Sequence, residues 1–269
     1  MTSTLDLFLT RHPATMLVEV AEAKGSTPRD AGTYMLVSPD ALLGTIGGGQ
    51  LEFLAIAHAR GMLDGRTLPD TLDIPLGPEI GQCCGGRTGL SFRRVDAGLA
   101  GELRRRLQAE ERTYRQVLLF GAGHVGLALA QALRPLPLRL AVIETRDIPA
   151  DEQPVGVALK RVAMPEAEID GLEPGGAVVI LTHDHALDFL IARQALARAD
   201  LAYVGMIGSV TKRATFAGWL ARDGGDPAWL HRLVLPIGGT VVRDKRPAVI
   251  SAMAAAEILA ALARWSPTD

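Results

Sequence analysis

The stretch QVLLFGAGHVGLALAQAL, residues 116–133, decides the fold. Val117–Phe120 is a short apolar run, and His124–Leu133 carries helical spacing, so a strand runs through a tight turn into a helix. Gly121, Gly123 and Gly126 form a GxGxxG across that turn. In a dinucleotide fold one glycine permits the turn, one lets backbone approach a phosphate, and one lets helix pack on strand. The helix N-terminus adds free N–H groups and a partial positive charge. Glu144 lies 21 residues beyond Gly123, where a ribose-binding acid is expected. The same glycines would also serve a bare βα turn, since fold does not give chemistry.

Working outward, strand and helix patterns keep alternating. Leu138–Ile143, Ala177–Thr182 and Tyr203–Ile207 read as strands. Leu187, Leu190, Ile191 and Ala195 mark a helix face, and Val210–Arg222 and Ala248–Arg264 read as helices. This rhythm predicts a Rossmann-like, doubly wound parallel sheet over residues 116–269. Upstream, the runs MLVEV (16–20), YMLVS (34–38), LLGTIG (42–47) and LSFRRV (90–95) alternate with glycine-rich loops, interrupted by a helix over Leu51–Leu63. That is an α+β pattern for residues 1–96. Leu99, Leu103 and Leu107 recur every fourth position, which makes 97–115 an amphipathic helical connector. The expected class is therefore α/β, an α+β domain followed by a Rossmann-like one.

Several segments offer ligand chemistry. His183, Asp184 and His185 follow the strand AVVILT, at the carboxyl edge where ligands sit in open α/β sheets; Asp184 also suits a helix N-cap. In GMIGSVTKRATF, Ser209 is a good N-cap. Lys212 and Arg213 then fall in the first helical turn, against the helix dipole, and a bound anion would explain them; solvated cations would cost little there. Lys24, Ser26 and Arg29 in KGSTPR form a possible anion cradle or a plain turn. Gly47 and Gly48 lead into a helix start, with the same anion logic. In GQCCGGR, Cys83 and Cys84 stand beside Gln82 among glycines, with Arg87 close in sequence. A nearby guanidinium favours thiolate, the nucleophile and soft metal ligand. No CxxC pair or His spacing supplies a zinc set.

Lys and Arg number 28 against 30 Asp and Glu, a net charge of −2, so no basic face for nucleic acid is expected. The N-terminal segment lacks a signal-peptide pattern. The alanine-rich segment 247–262 falls short of the roughly 20 residues of a bilayer span. Two adjacent cysteines make no disulfide framework. The expectation is a soluble, cytoplasmic chain with no membrane partner.

Taken together, the strings KGSTPRDAG (24–32), GTIGGGQLE (44–52), LGPEIGQCCGG (76–86), GAGHVG (121–126), HDHALD (183–188) and YVGMIGSVTKR (203–213) resemble the XdhC/CoxI family of xanthine dehydrogenase accessory proteins. They come in the family's order. The tail LPIGGTVVRDKRPAVISAMAAAE (235–257) is a looser version of its last motif. The resemblance implies a chaperone that holds molybdopterin, the molybdenum cofactor, during sulfuration. It implies apo xanthine dehydrogenase (its molybdenum-binding subunit) and a cysteine desulfurase as partners, and no catalytic cycle of its own. A homodimer is the expected state. Lys24, Ser26, Arg29, Gly47, Gly48, Gln82, Cys83, Cys84, Gly121, Gly123, His124, Gly126, Glu144, His183, Asp184, His185, Ser209, Lys212 and Arg213 are the expected cofactor-binding residues. Cys83 and Cys84 would face the metal, and a nucleotide at the glycine turn is possible. The alternative is an NAD(P)-dependent oxidoreductase using His124 or His185 as a general acid.

Overall fold

The computed structural model describes residues 4–77 and 85–267. The chain divides into two compact units, Met1–Gln108 and Ala109–Asp269.

The first unit carries a five-stranded antiparallel sheet. Its elements are α1 (Thr4–Arg11), β1 (Met16–Lys24), β2 (Tyr34–Val37), β3 (Leu42–Gly44), α2 (Gly49–Leu63), β4 (Thr71–Pro75), β5 (Arg87–Arg94) and the start of α3 (Ala97–Thr113). The strand order is β3-β2-β1-β5-β4. Period-two alternation sorts each strand's side chains between two cores. Met16, Val18 and Val20 join Met35 and Val37 under Leu51, Ala55 and Ala59 of α2. Leu17 and Leu36 point the other way, onto Leu5 of α1 and Leu99 and Leu103 of α3. The helix over 97–113 therefore buries its leucine stripe on this sheet. The pattern-based reading missed β4, whose five residues pair with β5 over Thr71↔Ser91 to Pro75↔Arg87.

The second unit is a six-stranded sheet built from β6 (Arg115–Phe120), β7 (Leu138–Glu144), β8 (Ala158–Arg161), β9 (Ala177–Ile180), β10 (Tyr203–Met206) and β11 (Leu233–Val234). The order is β11-β10-β9-β6-β7-β8, with every neighbouring pair parallel. This is the doubly wound order, and its direction reverses between β6 and β9. Helices cover both faces. Val117, Leu119, Ala177 and Val179 pack with α4 (His124–Leu133) and α7 (Pro247–Arg264). Phe120, Val178, Ile180 and Met206 pack with α5 (His185–Ala197) and α6 (Val210–Arg222). Strands buried on both faces read as continuous apolar runs, which is why AVVI was legible. The edge strands β8 and β11 are short and escaped the pattern-based reading. By length and composition α7 could cross a membrane, but Ala254, Ala255, Ile258 and Leu262 are buried in the core beside α4.

Candidate functional site

Gly121, Gly123 and Gly126 have three separate jobs. At Gly121 (φ +113°) a Cβ would lie 2.6 Å from the carbonyl oxygen of Leu181, so the β6 end can touch the β9 end only through glycine. A Cβ on Gly126 would sit 2.0 Å from the oxygen of Gly121, so α4 could not close onto the turn. Gly123 has open space where its Cβ would be. It caps α4 without any side-chain hydrogen bond. The first N–H groups of that helix are thus left without a side-chain cap.

That open glycine lines a crevice of about 320 Å³ shared with His124, Arg146, Glu152, Thr182 and His183. These residues follow β6, β7 and β9 at their carboxyl ends, so the crevice sits at the reversal of strand order. Arg146 was not anticipated from the sequence. Its position follows from Glu144, which is 5% exposed at the end of β7. Oε2 of Glu144 accepts from the N–H of Ala122 at 2.9 Å and from Arg146 Nη2 at 2.9 Å. Oε1 accepts from the N–H groups of Thr145 (2.8 Å) and Arg146 (3.1 Å) and from Arg146 Nε (3.2 Å). Burial alone would raise this carboxyl. The Arg146 guanidinium and the three backbone donors outweigh it and hold the pKa at about 2. Glu144 therefore clamps its own turn, and a ribose hydroxyl would have to displace Arg146 to reach it.

The HDH segment divides. His183 lines the crevice. Asp184 caps α5, accepting from Ala186 N at 2.8 Å and Leu187 N at 3.4 Å. His185 stands on the first turn of α5, stacked toward Phe189 at 6.5 Å. Asp188, which the sequence reading passed over, is fully buried. It accepts from Thr182 Oγ1 at 2.6 Å and pairs with Lys212 Nζ.

That pair accounts for the cations in the first turn of α6. Ser209 caps the helix, accepting from Lys212 N at 3.3 Å. Lys212 Nζ also donates to the carbonyl of Ile207 at 2.9 Å. Arg213 donates to the carbonyls of Leu233 (2.9 Å) and Leu230 (2.7 Å). The anion beside Lys212 is the chain's own Asp188 carboxylate, so no external anion is needed to explain these residues.

In the first unit, three glycine-rich segments meet at one end of the sheet. They lie at the ends of β1 and β3 and before β5. A Cβ on Gly86 would be 2.2 Å from the oxygen of Ser26, and one on Gly47 would be 2.7 Å from Pro28 Cγ. Lys24, Ser26 and Arg29 are exposed there, and Lys24 pairs with Glu22 at 2.7 Å. The N-terminus of α2 already holds an anion. Glu52 Oε2 accepts from Ile46 N (3.1 Å) and Gly48 N (3.2 Å), and from Thr45 Oγ1. The Gly48 N–H expected to face a ligand is thus engaged by Glu52. Arg87, expected beside a thiolate, pairs with Asp73 at 2.5 Å, and its hydrogen bond holds the Asp73 carboxyl below its usual range. Gln82, Cys83 and Cys84 lie outside the described residues.

Comparison with known proteins places both units. Residues 117–258 match the XdhC Rossmann domain, and residues 9–74 match the XdhC and CoxI family. An uncharacterized protein of Escherichia coli (strain K12), YqeB, is 27% identical over 258 residues, 90% of this chain. The chain spans only 42% of that relative's length. A solved structure from Bacillus halodurans, described as a xanthine dehydrogenase, superposes with a TM-score of 0.73 at 18% identity. That alignment covers 98% of this chain and 97% of the other, a likeness of fold. The chain belongs to the XdhC family.

Proposed function

We propose that this protein serves xanthine dehydrogenase maturation as a carrier of the molybdenum cofactor. It binds molybdopterin, holds it while a cysteine desulfurase supplies sulfur, and delivers it to apo xanthine dehydrogenase or a related molybdenum hydroxylase. The observation that carries this reading is the open Gly123 turn at the strand-order reversal, within a domain that matches the XdhC family.

The residues suit such a cargo. Molybdopterin presents a phosphate, a hydrogen-bonding pterin and a metal held by sulfur. The α4 N-terminus, open above Gly123, offers backbone donors to the phosphate. His124, Thr182 and His183 add polar groups around the same crevice. Gly121 and Gly126 keep that turn closed beneath them. Cys83 and Cys84 supply soft thiols for the metal or for sulfur in transit. The alternative, an NAD(P)-dependent oxidoreductase, draws on the same turn. The full engagement of Glu144 by its own loop counts against the ribose contact that reading needs.

The test is protein purified without air from a cofactor-producing host, analysed for molybdenum and for pterin fluorescence. The expected result is one pterin per chain and no steady-state oxidation of NADH or NADPH with small carbonyl substrates. Gly123→Val should stay folded and bind molybdopterin about 10- to 150-fold more weakly, the loss of one charge-assisted contact. Robust hydride transfer by the pure protein would overturn the carrier assignment. Unchanged binding by the folded variant would remove the turn from the site.

A further inference from the structure

A second pocket of about 540 Å³ lies on the same carboxyl edge of the six-stranded sheet, beyond the ends of β10 and β11. Its volume falls within the range of small-molecule sites. The floor is apolar, formed by Ile207, Pro236, Ile237, Val242 and Ile250. Val242 is 43% exposed, so part of that floor faces water. The loop that forms it is anchored from below. The N–H of Ile237 donates to the carbonyl of Met206 at 3.3 Å. The N–H of Gly238 donates to Glu257 Oε1 at 3.3 Å, and the buried Tyr203 hydroxyl donates to the same oxygen at 2.5 Å.

Charge around this pocket is one-sided. Arg243 and Lys245 line it, and neither has a hydrogen-bond or ion-pair partner among the described residues. The acid between them, Asp244, is held by Arg246 through Nε at 2.9 Å and Nη2 at 2.5 Å. Its charge is thereby neutralised within the loop. Gly239, at φ +69°, has no atom where a Cβ would stand, so a ligand can come against the backbone. The Thr240 hydroxyl offers a further polar contact.

An apolar floor takes a flat ring, two free cations take a dianion, and a bare glycine with a threonine takes a polar ring edge. We propose that this pocket binds a nucleoside monophosphate, with the base on the Ile207–Pro236–Ile250 floor and the phosphate between Arg243 and Lys245. The site is separate from the Gly123 crevice and does not depend on which cargo that crevice holds.

The experiment is calorimetric titration of the full-length protein with AMP, CMP, GMP and UMP, the corresponding nucleosides, and inorganic phosphate. At least one nucleotide should bind saturably, one per chain. Its nucleoside and inorganic phosphate should each bind about tenfold more weakly or worse. The double variant Arg243→Ala/Lys245→Ala, truncating exposed side chains, should keep its melting temperature and lose about tenfold or more in nucleotide affinity. Gly123→Val should leave nucleotide binding unchanged, even where it weakens molybdopterin binding. Three results would overturn the proposal: no saturable binding at millimolar nucleotide, phosphate alone binding as tightly as the nucleotide, or loss of binding in Gly123→Val with none in the double variant.

Discussion

Glu144 ties the glycine turn to the end of the neighbouring strand. Its carboxylate ties the N–H of Ala122 to Arg146 and to the end of β7. The pH consequence follows from its depressed pKa. The unfolded chain takes up a proton near the ordinary value of 4.5, while the folded chain refuses it down to about 2. The stabilisation is therefore present above about 4.5 and is lost as pH falls from there toward about 2. Glu144→Gln should lower stability at pH 7 by roughly 1–3 kcal/mol, since it replaces charge-assisted hydrogen bonds. In urea unfolding the gap between variant and wild type should narrow as pH drops through that window. A gap of the same size at pH 3 as at pH 7 would refute the electrostatic account.

Between elements, the buried Asp188–Lys212 pair fastens the start of α5 to the start of α6. Lys212 is 9% exposed and Asp188 fully buried. Removing one charge leaves the other uncompensated in the core, which costs roughly 3–5 kcal/mol. Asp188→Asn should thus destabilise strongly in urea unfolding. The double variant Asp188→Leu/Lys212→Met, which removes both charges and fills the space, should lie much closer to wild type. Additive losses in the double variant would show that the residues act separately. The same pair explains why a cation stands in the unfavourable first turn of α6: a neighbouring helix supplies its anion.

On the scale of the whole molecule, the proposed carrier role is tested by delivery rather than turnover. Cys83→Ala and Cys84→Ala should lower bound molybdenum and the activity of reconstituted xanthine dehydrogenase. Their melting temperatures should move by no more than the equivalent of ~0.5 kcal/mol. The double variant should be the most impaired in delivery. If client activation and metal content survive loss of both thiols, the glycine-flanked segment serves without them. A collapsed melting temperature would instead mark them as packing residues.

The sequence by itself determined what depends on neighbours along the chain. Continuous apolar runs marked β6 and β9, the 3.6-residue rhythm marked α4 and α7, and the GxGxxG turn announced a doubly wound sheet, because local sterics and the burial of each face set those patterns. Short strands such as β4, β8 and β11 carry too few residues to print a period, so only pairing with β5, β7 and β10 defines them. The expected ligand residues divided for the same reason. Whether Glu144, Gly48 and Lys212 face a ligand depends on what else reaches them. Arg146 reaches Glu144, Glu52 reaches Gly48, and Asp188 reaches Lys212 from 24 residues away. Buried polar groups take the partners that folding brings within about 3 Å, and only the tertiary structure decides which partners those are.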